Sequence, residues 1–476
     1  MSPSFDRTID FLAEEAGGLT ATALRRGGVL AEFFVEDTLV QHLTLRYRRG
    51  KPREIGTTQR IAGVGVRVLD GSTAWYISTP DLSVASIRKA ASDVNSTVDS
   101  SATAPGVIEA ASLQRYDGLP QDAPSENSAG EVRALLEQAA DAAYGLFPDL
   151  RDLEVGFQGS ARRIAVASSD GRLTTTSRSM VGLRVRLRRG VHTSYAVGGG
   201  VGGLGLFLEA VPESIAAEAA RRLQYASGAG TGTLPVGSEM PVVLAGGWGG
   251  VWLHEVVGHL LEADVAVDCS VPGAFAAERI GRRVANECIS VFDDATLDAG
   301  RGTTRVDDEG TPARRNTLIE GGILAALLTD RAMASRLGLP ESGSGRRQDY
   351  RNQPLPRMSN LLLATGDADP ESLVHEADTG LFVTMIGNGA VAPADDSFSF
   401  DVLEGYAIES GRIGSPVRGL RLSGRPSEML TRIRGVANDF QLDAGRGFCS
   451  KNGQVVPVSV GMPTVLIDKM TVNSLS

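Results

Sequence analysis

Within the stretch GGWGGVWLHEVVGHLLEADV, residues 246–265, His254 and His259 stand five residues apart, with Glu255 beside the first. Two imidazoles and a carboxylate this close suggest metal-assisted hydrolysis, in which imidazoles ligate the ion and the carboxylate reaches an activated water. The familiar spacing for that chemistry is H-E-x-x-H, which puts both histidines on one helix face. Here the second histidine comes one residue late. Each residue of a straight α-helix advances about 100°, so positions i and i+5 lie about 140° apart and cannot grip one ion. One extra residue in the turn, a π-bulge, brings them back to a common face. Gly258, just before the second histidine, is where the distortion is expected, because glycine frees the backbone most. The spacing permits a metal site on condition that the helix is distorted.

Other features point the same way. The chain has five histidines, and two of them are here. The glycine-rich lead-in from Gly246 to Gly250 would let backbone approach closely, as an active-site floor needs. A catalytic zinc usually has three protein ligands and an open position. Candidates for the third are Glu262, Asp264, Asp268, Cys269, Cys288 and Cys449. Cys449 stands out, because glycines on both sides in GRGFCSKNGQ predict a turn that presents a thiol. Cys269 and Cys288 are read as small buried hydrophobes. His42, His192 and His375 have no metal-like neighbours and are read as structural or surface residues.

The elements that must position these groups fall into two regions. SFDRTIDFLAEE (4–15), PDLSVASIRKAASDV (80–94), EVRALLEQAADAAYGLF (131–147) and 212–227 read as helices. Between them lie runs rich in β-branched and aromatic residues, which read as strands. Helix followed by strands, twice over, predicts an antiparallel or mixed sheet and not a parallel βαβ array. Residues from about 95 to 130 read as an irregular connection. Arg184, Arg186 and Arg188 alternate along one strand face, read as solvated, with a substrate groove as the other reading. A G-x-G-x-x-G match at Gly200, Gly202 and Gly205 is discounted, because the following helix begins near Pro212 instead of opening on the glycines. A boundary is expected near residue 230, giving regions 1–230 and 231–476. In the second, short strands and turns predominate, with brief helices near 273–285, 329–336 and 426–434.

The 476 residues carry a net charge of −10, which argues against nucleic acid or an anionic membrane as the main partner. Lysine occurs only at Lys51, Lys89, Lys451 and Lys469, a bias that fits a GC-rich genome. Three widely spaced cysteines make no disulfide framework. The acidic first helix is no signal peptide and ILAALL at 323–328 is too short to span a bilayer, so a cytoplasmic location is expected.

LHEVVGHLLEADV together with FCSKNGQVVPVSVGMPTVLIDKMTV resembles the TldD/PmbA metallopeptidase family, in its metal-bearing TldD type. GVGVRVLDG, DDEGTP (307–312), TLIEGGIL (317–324) and RMSNLLL (357–363) fit as well, in family order. The resemblance implies Zn2+ held by His254, His259 and Cys449, with Glu255 as the catalytic base. It implies an α+β fold: an N-terminal mixed α/β domain with antiparallel sheet and helices, and a C-terminal β-rich domain carrying the HExxxH helix. It further implies a TldE/PmbA-like partner that lacks the metal motif, or a homodimer. The expected reaction is hydrolysis of amide bonds in unstructured peptides. The alternatives are N-deacetylation of a small thiol conjugate, as in some actinobacterial relatives, and a non-enzymatic binding subunit.

Overall fold

The computed structural model describes residues 3–48, 50–71, 73–102, 113–116, 119–208, 210–228, 232–268, 275–298, 300–443 and 447–475. Its first half is one sheet. The strands are β1 (Leu30–Arg48), β2 (Lys51–Asp70), β3 (Thr73–Thr79), β4 (Gln114–Arg115), β5 (Asp152–Ser168), β6 (Leu173–Arg189) and β7 (His192–Val201). They lie in the order β3-β2-β1-β5-β6, with β7 antiparallel and β4 parallel beside β6. β1 pairs antiparallel with both β2 and β5, so the sheet is built on a long central strand.

Alternation along these strands separates two faces. Most odd-numbered residues of β1 and β5 are apolar, Asp37, Gln41 and Arg163 being the exceptions. Phe33, Val35, Ala165 and Ala167 pack under α1 (Pro3–Ala23) and α2 (Val84–Thr97) at one end. Leu43, Leu45, Val155 and Phe157 pack under α3 (Ala129–Leu146) and α4 (Val211–Ser227) at the other. The repeated helix–strand pattern is therefore two helix pairs side by side on one face of one sheet.

The opposite face is charged where it meets the second half of the chain. Arg67 on β2 bridges Glu32 (2.9 Å) and Glu309. Arg347 donates to Glu32 (2.6 Å), and Asp308 accepts from Arg178 (2.8 Å). The DDEG sequence is the anchor. Asp307 closes its own turn by accepting from the backbone N–H of Glu309, Thr311 and Gly345, which leaves Asp308 and Glu309 to reach the sheet.

Most of the second half is strand. Gly380–Ala392 pairs with both Ser238–Leu244 and Ser397–Glu409, so the sheet through Val465–Ser474 and Leu420–Gly424 closes on itself. A six-stranded sheet includes Val291–Asp294, Asn360–Leu363 and Ser459–Met462. The His-bearing helix is buried among these elements: Trp252, Leu253, Val256 and Val257 share a core with Met358, Leu361 and Met462. This is the α+β fold the sequence predicts.

Several boundaries differ. The first helix runs to Ala23, because buried Thr20 satisfies its hydroxyl on the Ala16 carbonyl at 2.8 Å and so does not stop it. The helix expected from 80 starts at Val84, since Ser83 caps it by accepting from the Ser86 N–H. In place of a helix over 273–285 there is a single 3-10 turn, Ala277–Arg279, and Gly281 with φ +85° ends it. Residues 271–274 lie outside the described residues, as do 103–112 and 117–118 of the irregular connection and 229–231, where the boundary near 230 falls. The glycine match at 200–205 is a strand end followed by the 3-10 turn Leu204–Phe207. Among the described residues, no helix is long and apolar enough to cross a membrane.

Candidate metal centre

Residues His254–Gly258 form a π-helical turn, as the histidine spacing requires. The His259 N–H donates to the carbonyl of His254, five residues back, so the extra residue is absorbed inside one turn. The two imidazoles consequently face each other, with ring centroids 5.0 Å apart and planes at 80°. Gly258 has a different reason to be glycine from the one expected. Its backbone is ordinary helix, with φ −60°, but a Cβ there would lie 2.1 Å from Met358 Sδ. The position is fixed by close packing. In the lead-in, Gly247 does need glycine's freedom, with φ +71°.

Cys449 completes a cluster with the histidines. One ligand atom from each of His254, His259 and Cys449 lies within 4.8 Å of the others. The thiol comes from a strand and not from a turn as expected: Phe448–Lys451 pairs with Gln454–Pro457 in a hairpin whose bend is Asn452–Gly453. Alternation then buries Cys449 and exposes Phe448. Arg357 fixes the hairpin by donating to the Cys449 carbonyl at 2.6 Å, which explains the arginine of RMSNLLL.

Burial alone would push the Cys449 thiol up; His254 and His259 facing it pull it down to about 4. Its sulfur lies 3.4 Å from His259 Nε2. His254 is buried, and neither of its ring nitrogens has a nitrogen or oxygen partner. Two nitrogens and a thiolate converging in this way are a donor set suited to zinc. The half-buried Glu255 carboxylate lies beside the cluster, 3.8 Å from His259 Nε2, on the same π-turn.

The other candidate ligands have different partners. Glu262 is buried and accepts from His259 Nδ1 at 2.8 Å, so it orients that imidazole. Burial would raise its carboxyl, but His259 and then Lys451 hold it down at about 2. Lys451 donates to Glu262 (3.0 Å) and Asp264 (2.6 Å), which takes Asp264 away from the cluster. Cys288 is exposed, and not the small buried hydrophobe expected, and it lies outside the cluster. Cys269 and the side chain of Asp268 lie outside the described residues. Sequence reasoning missed Lys451 and Arg357 as supports. Lys451 was within reach, since a residue two after Cys449 on a strand shares its face.

His42, read as structural or surface, lines a cavity of about 860 Å3 on the helix-free face of the first sheet. Arg184, Arg186 and Tyr195 also line it, and Trp248, Arg301 and Phe448 border it from the second half.

Comparison with known proteins identifies the family. Residues 237–474 match the PmbA/TldA metallopeptidase C-terminal domain, 122–225 the central domain and 31–102 domain 1. A Haemophilus influenzae protein named metalloprotease TldD homolog is 32% identical over 86% of both chains. A Saccharolobus solfataricus protein named zinc metalloprotease TldD homolog is 34% identical over 51% of this chain and 53% of its own. In fold, the chain is similar to TldE from Thermococcus kodakarensis, with a TM-score of 0.71 at 15% identity over 98% of this chain and 100% of that one. A proposed modulator of a DNA gyrase from Thermotoga maritima gives 0.72 at 18% identity over 98% of each. With all three parts matched in order and the histidine and cysteine segments inside the C-terminal match, the chain belongs to the PmbA/TldD metallopeptidase family.

Proposed function

We propose that the chain is a zinc-dependent peptidase acting on unstructured peptides, with His254, His259 and Cys449 as metal ligands and Glu255 as general base. The observation that carries this reading is the convergence of the three ligand atoms within 4.8 Å, made possible by the π-turn that also bears Glu255. The residues fit the ion: His254 is buried with no nitrogen or oxygen partner on its ring and faces the Cys449 sulfur, and a buried polar atom without a partner costs about 1–3 kcal/mol.

Zinc held there supplies a Lewis acid that polarises the scissile carbonyl and makes an adjacent water more acidic. Glu255 takes the proton from that water as its oxygen bonds to the carbonyl carbon. Glu255 then delivers the proton to the amide nitrogen as the C–N bond breaks. Glu262 keeps His259 in the orientation that presents Nε2 inward. The relatives are named as proteases, which favours peptide over a small N-acyl conjugate. Likeness to a TldE over its whole length supports assembly with a TldE-like partner or a second copy, which light scattering with and without such a partner tests.

The test of the chemistry is Glu255→Gln, assayed for metal content and for cleavage of an unstructured peptide. Zinc should be retained and turnover should fall by about 10²–10⁴-fold. Full activity, or loss of the zinc itself, would remove Glu255 from the base role.

A further inference from the structure

The cavity of about 860 Å3 is charged against the average of the chain. The protein has a net charge of −10, yet the lining includes Arg184, Arg186, Arg301 and His42 and, among the described residues, neither aspartate nor glutamate. Two carboxylates act on the lining arginines: Asp443 on Arg301, and Glu154, which is already shared, Arg46 donating to one oxygen at 2.5 Å and Arg184 to the other at 2.8 Å. Arg186 forms no ion pair among the described residues and is exposed. Opposite, Arg301 is buried over the Phe448 ring, 4.5 Å from its centroid. A concave surface of one sign with low-dielectric walls concentrates ligands of the other sign.

Two residues that border the cavity are neighbours in sequence of the candidate metal centre. Phe448 immediately precedes Cys449, and Trp248 lies six residues before His254 on the turn that opens the His-bearing helix. Trp248 is held by its indole N–H, which donates to the Ile386 carbonyl at 2.7 Å. Tyr195, Trp248 and Phe448 add aromatic surface of the kind that packs against a peptide.

We propose that this cavity binds the substrate peptide through a carboxylate, with Arg184 and Arg186 as the residues that set the preference. The proposal rests on the peptidase reading for the substrate being a peptide. The carboxylate belongs to an aspartate or glutamate side chain or to the peptide's own C-terminus, and the guanidinium chemistry is the same for both.

The test uses the full-length, zinc-loaded protein and four versions of one unstructured peptide: acidic with an amidated end, neutral with a free carboxylate, neutral amidated, and basic amidated. Binding is read by fluorescence anisotropy on the Glu255→Gln protein, and kcat/KM on the wild type. A charge-assisted contact predicts about tenfold tighter binding of a carboxylate-bearing peptide than of the neutral amidated one. Added salt should shrink the ratio. The Arg184→Gln/Arg186→Gln double variant should bring it near one, and Arg186→Glu should favour the basic peptide, with thermal unfolding confirming that each variant is folded. A preference confined to the free-carboxylate peptide assigns the C-terminus; one confined to the acidic peptide assigns the side chain. Equal binding of all four peptides, or a preference that survives both variants, overturns the proposal. Carboxylate-selective binding without cleavage of any peptide would remove the peptidase reading and leave the cavity assignment standing.

Discussion

Cys449 and Lys451 alternate along one strand, so a single hairpin brings both the thiol and the support of the histidine's carboxylate to the His-bearing helix. Cys449→Ser should therefore lower zinc occupancy measured by elemental analysis, while Cys288→Ser, exposed and remote, should leave it unchanged. Glu262→Gln removes the charge that orients His259, and loss of such a partner typically costs roughly 10–100-fold in metal affinity. Chelator competition reads this; an unchanged affinity would mean that His259 is oriented by packing alone. A third residue acts through pH. Burial pushes Asp293 up to about 6, even though it accepts from the Ser359 N–H and hydroxyl. Its unfolded value is near 3.9, so the folded state binds the proton more tightly. The stability from this group is fully present below the unfolded value and is lost as pH rises through about 6. The total is roughly 3 kcal/mol, about half of it lost above pH 5. Asp293→Asn cannot ionise, so its urea midpoint should gain on the wild type between pH 5 and 7.5; a constant difference would exonerate Asp293.

At the scale of elements, the π-turn is where sequence and structure meet most closely. The spacing of His254 and His259 calls for one extra residue in the helical turn, and the π-turn supplies it, so both rings face one point. The role of Gly258 was not legible in the same way. Its neighbour Met358 is a hundred residues distant in sequence, and only the fold brings the two together. Gly258→Ala separates the two explanations. Alanine gains up to about 1 kcal/mol in helix propensity. Overpacking a full core costs about 1–3 kcal/mol, and here the new Cβ would sit 2.1 Å from Met358 Sδ and 2.8 Å from Leu361 Cδ2. The clash should win, lowering the thermal midpoint; a stabilised variant would restore the backbone-freedom explanation. The strands were legible as types, because β-branched runs mark them, but not as lengths. Residues 51–60 of β2 are exposed throughout and carry no alternation to read. Cys449 was legible as a candidate ligand through resemblance, whereas glycines misled as to its setting: they flank a hairpin strand.

Across the whole molecule, the helix-free face of the first sheet does two things. One end roofs the arginine-lined cavity, and the other is clamped to the second half by buried ion pairs from DDEG and residues 345–350. The clamp sets how the cavity sits against the His-bearing helix, so its strength bears on function. Asp308 is shared among three arginines, since it accepts from Arg178 and from the Arg347 N–H, with Arg162 at 3.4 Å. In Asp308→Ala, Arg162 keeps Glu36 at 3.0 Å, but Arg178, nearly buried, keeps no ion pair among the described residues. An uncompensated charge of this kind costs about 3–5 kcal/mol. Arg421 and Asp401 form a pair of similar length, 2.7 Å, but with the arginine 42% exposed. Such surface pairs contribute about 0–1 kcal/mol, so Arg421→Ala is the comparison. Urea unfolding should place Asp308→Ala far below both the wild type and Arg421→Ala. Peptide cleavage by Asp308→Ala should fall at temperatures where the helical signal is still native, because the sheet loosens from the His-bearing half before either unfolds. Equal and small effects of the two substitutions would mean that packing around Phe34 and Tyr350, and not charge, holds the sheet in place.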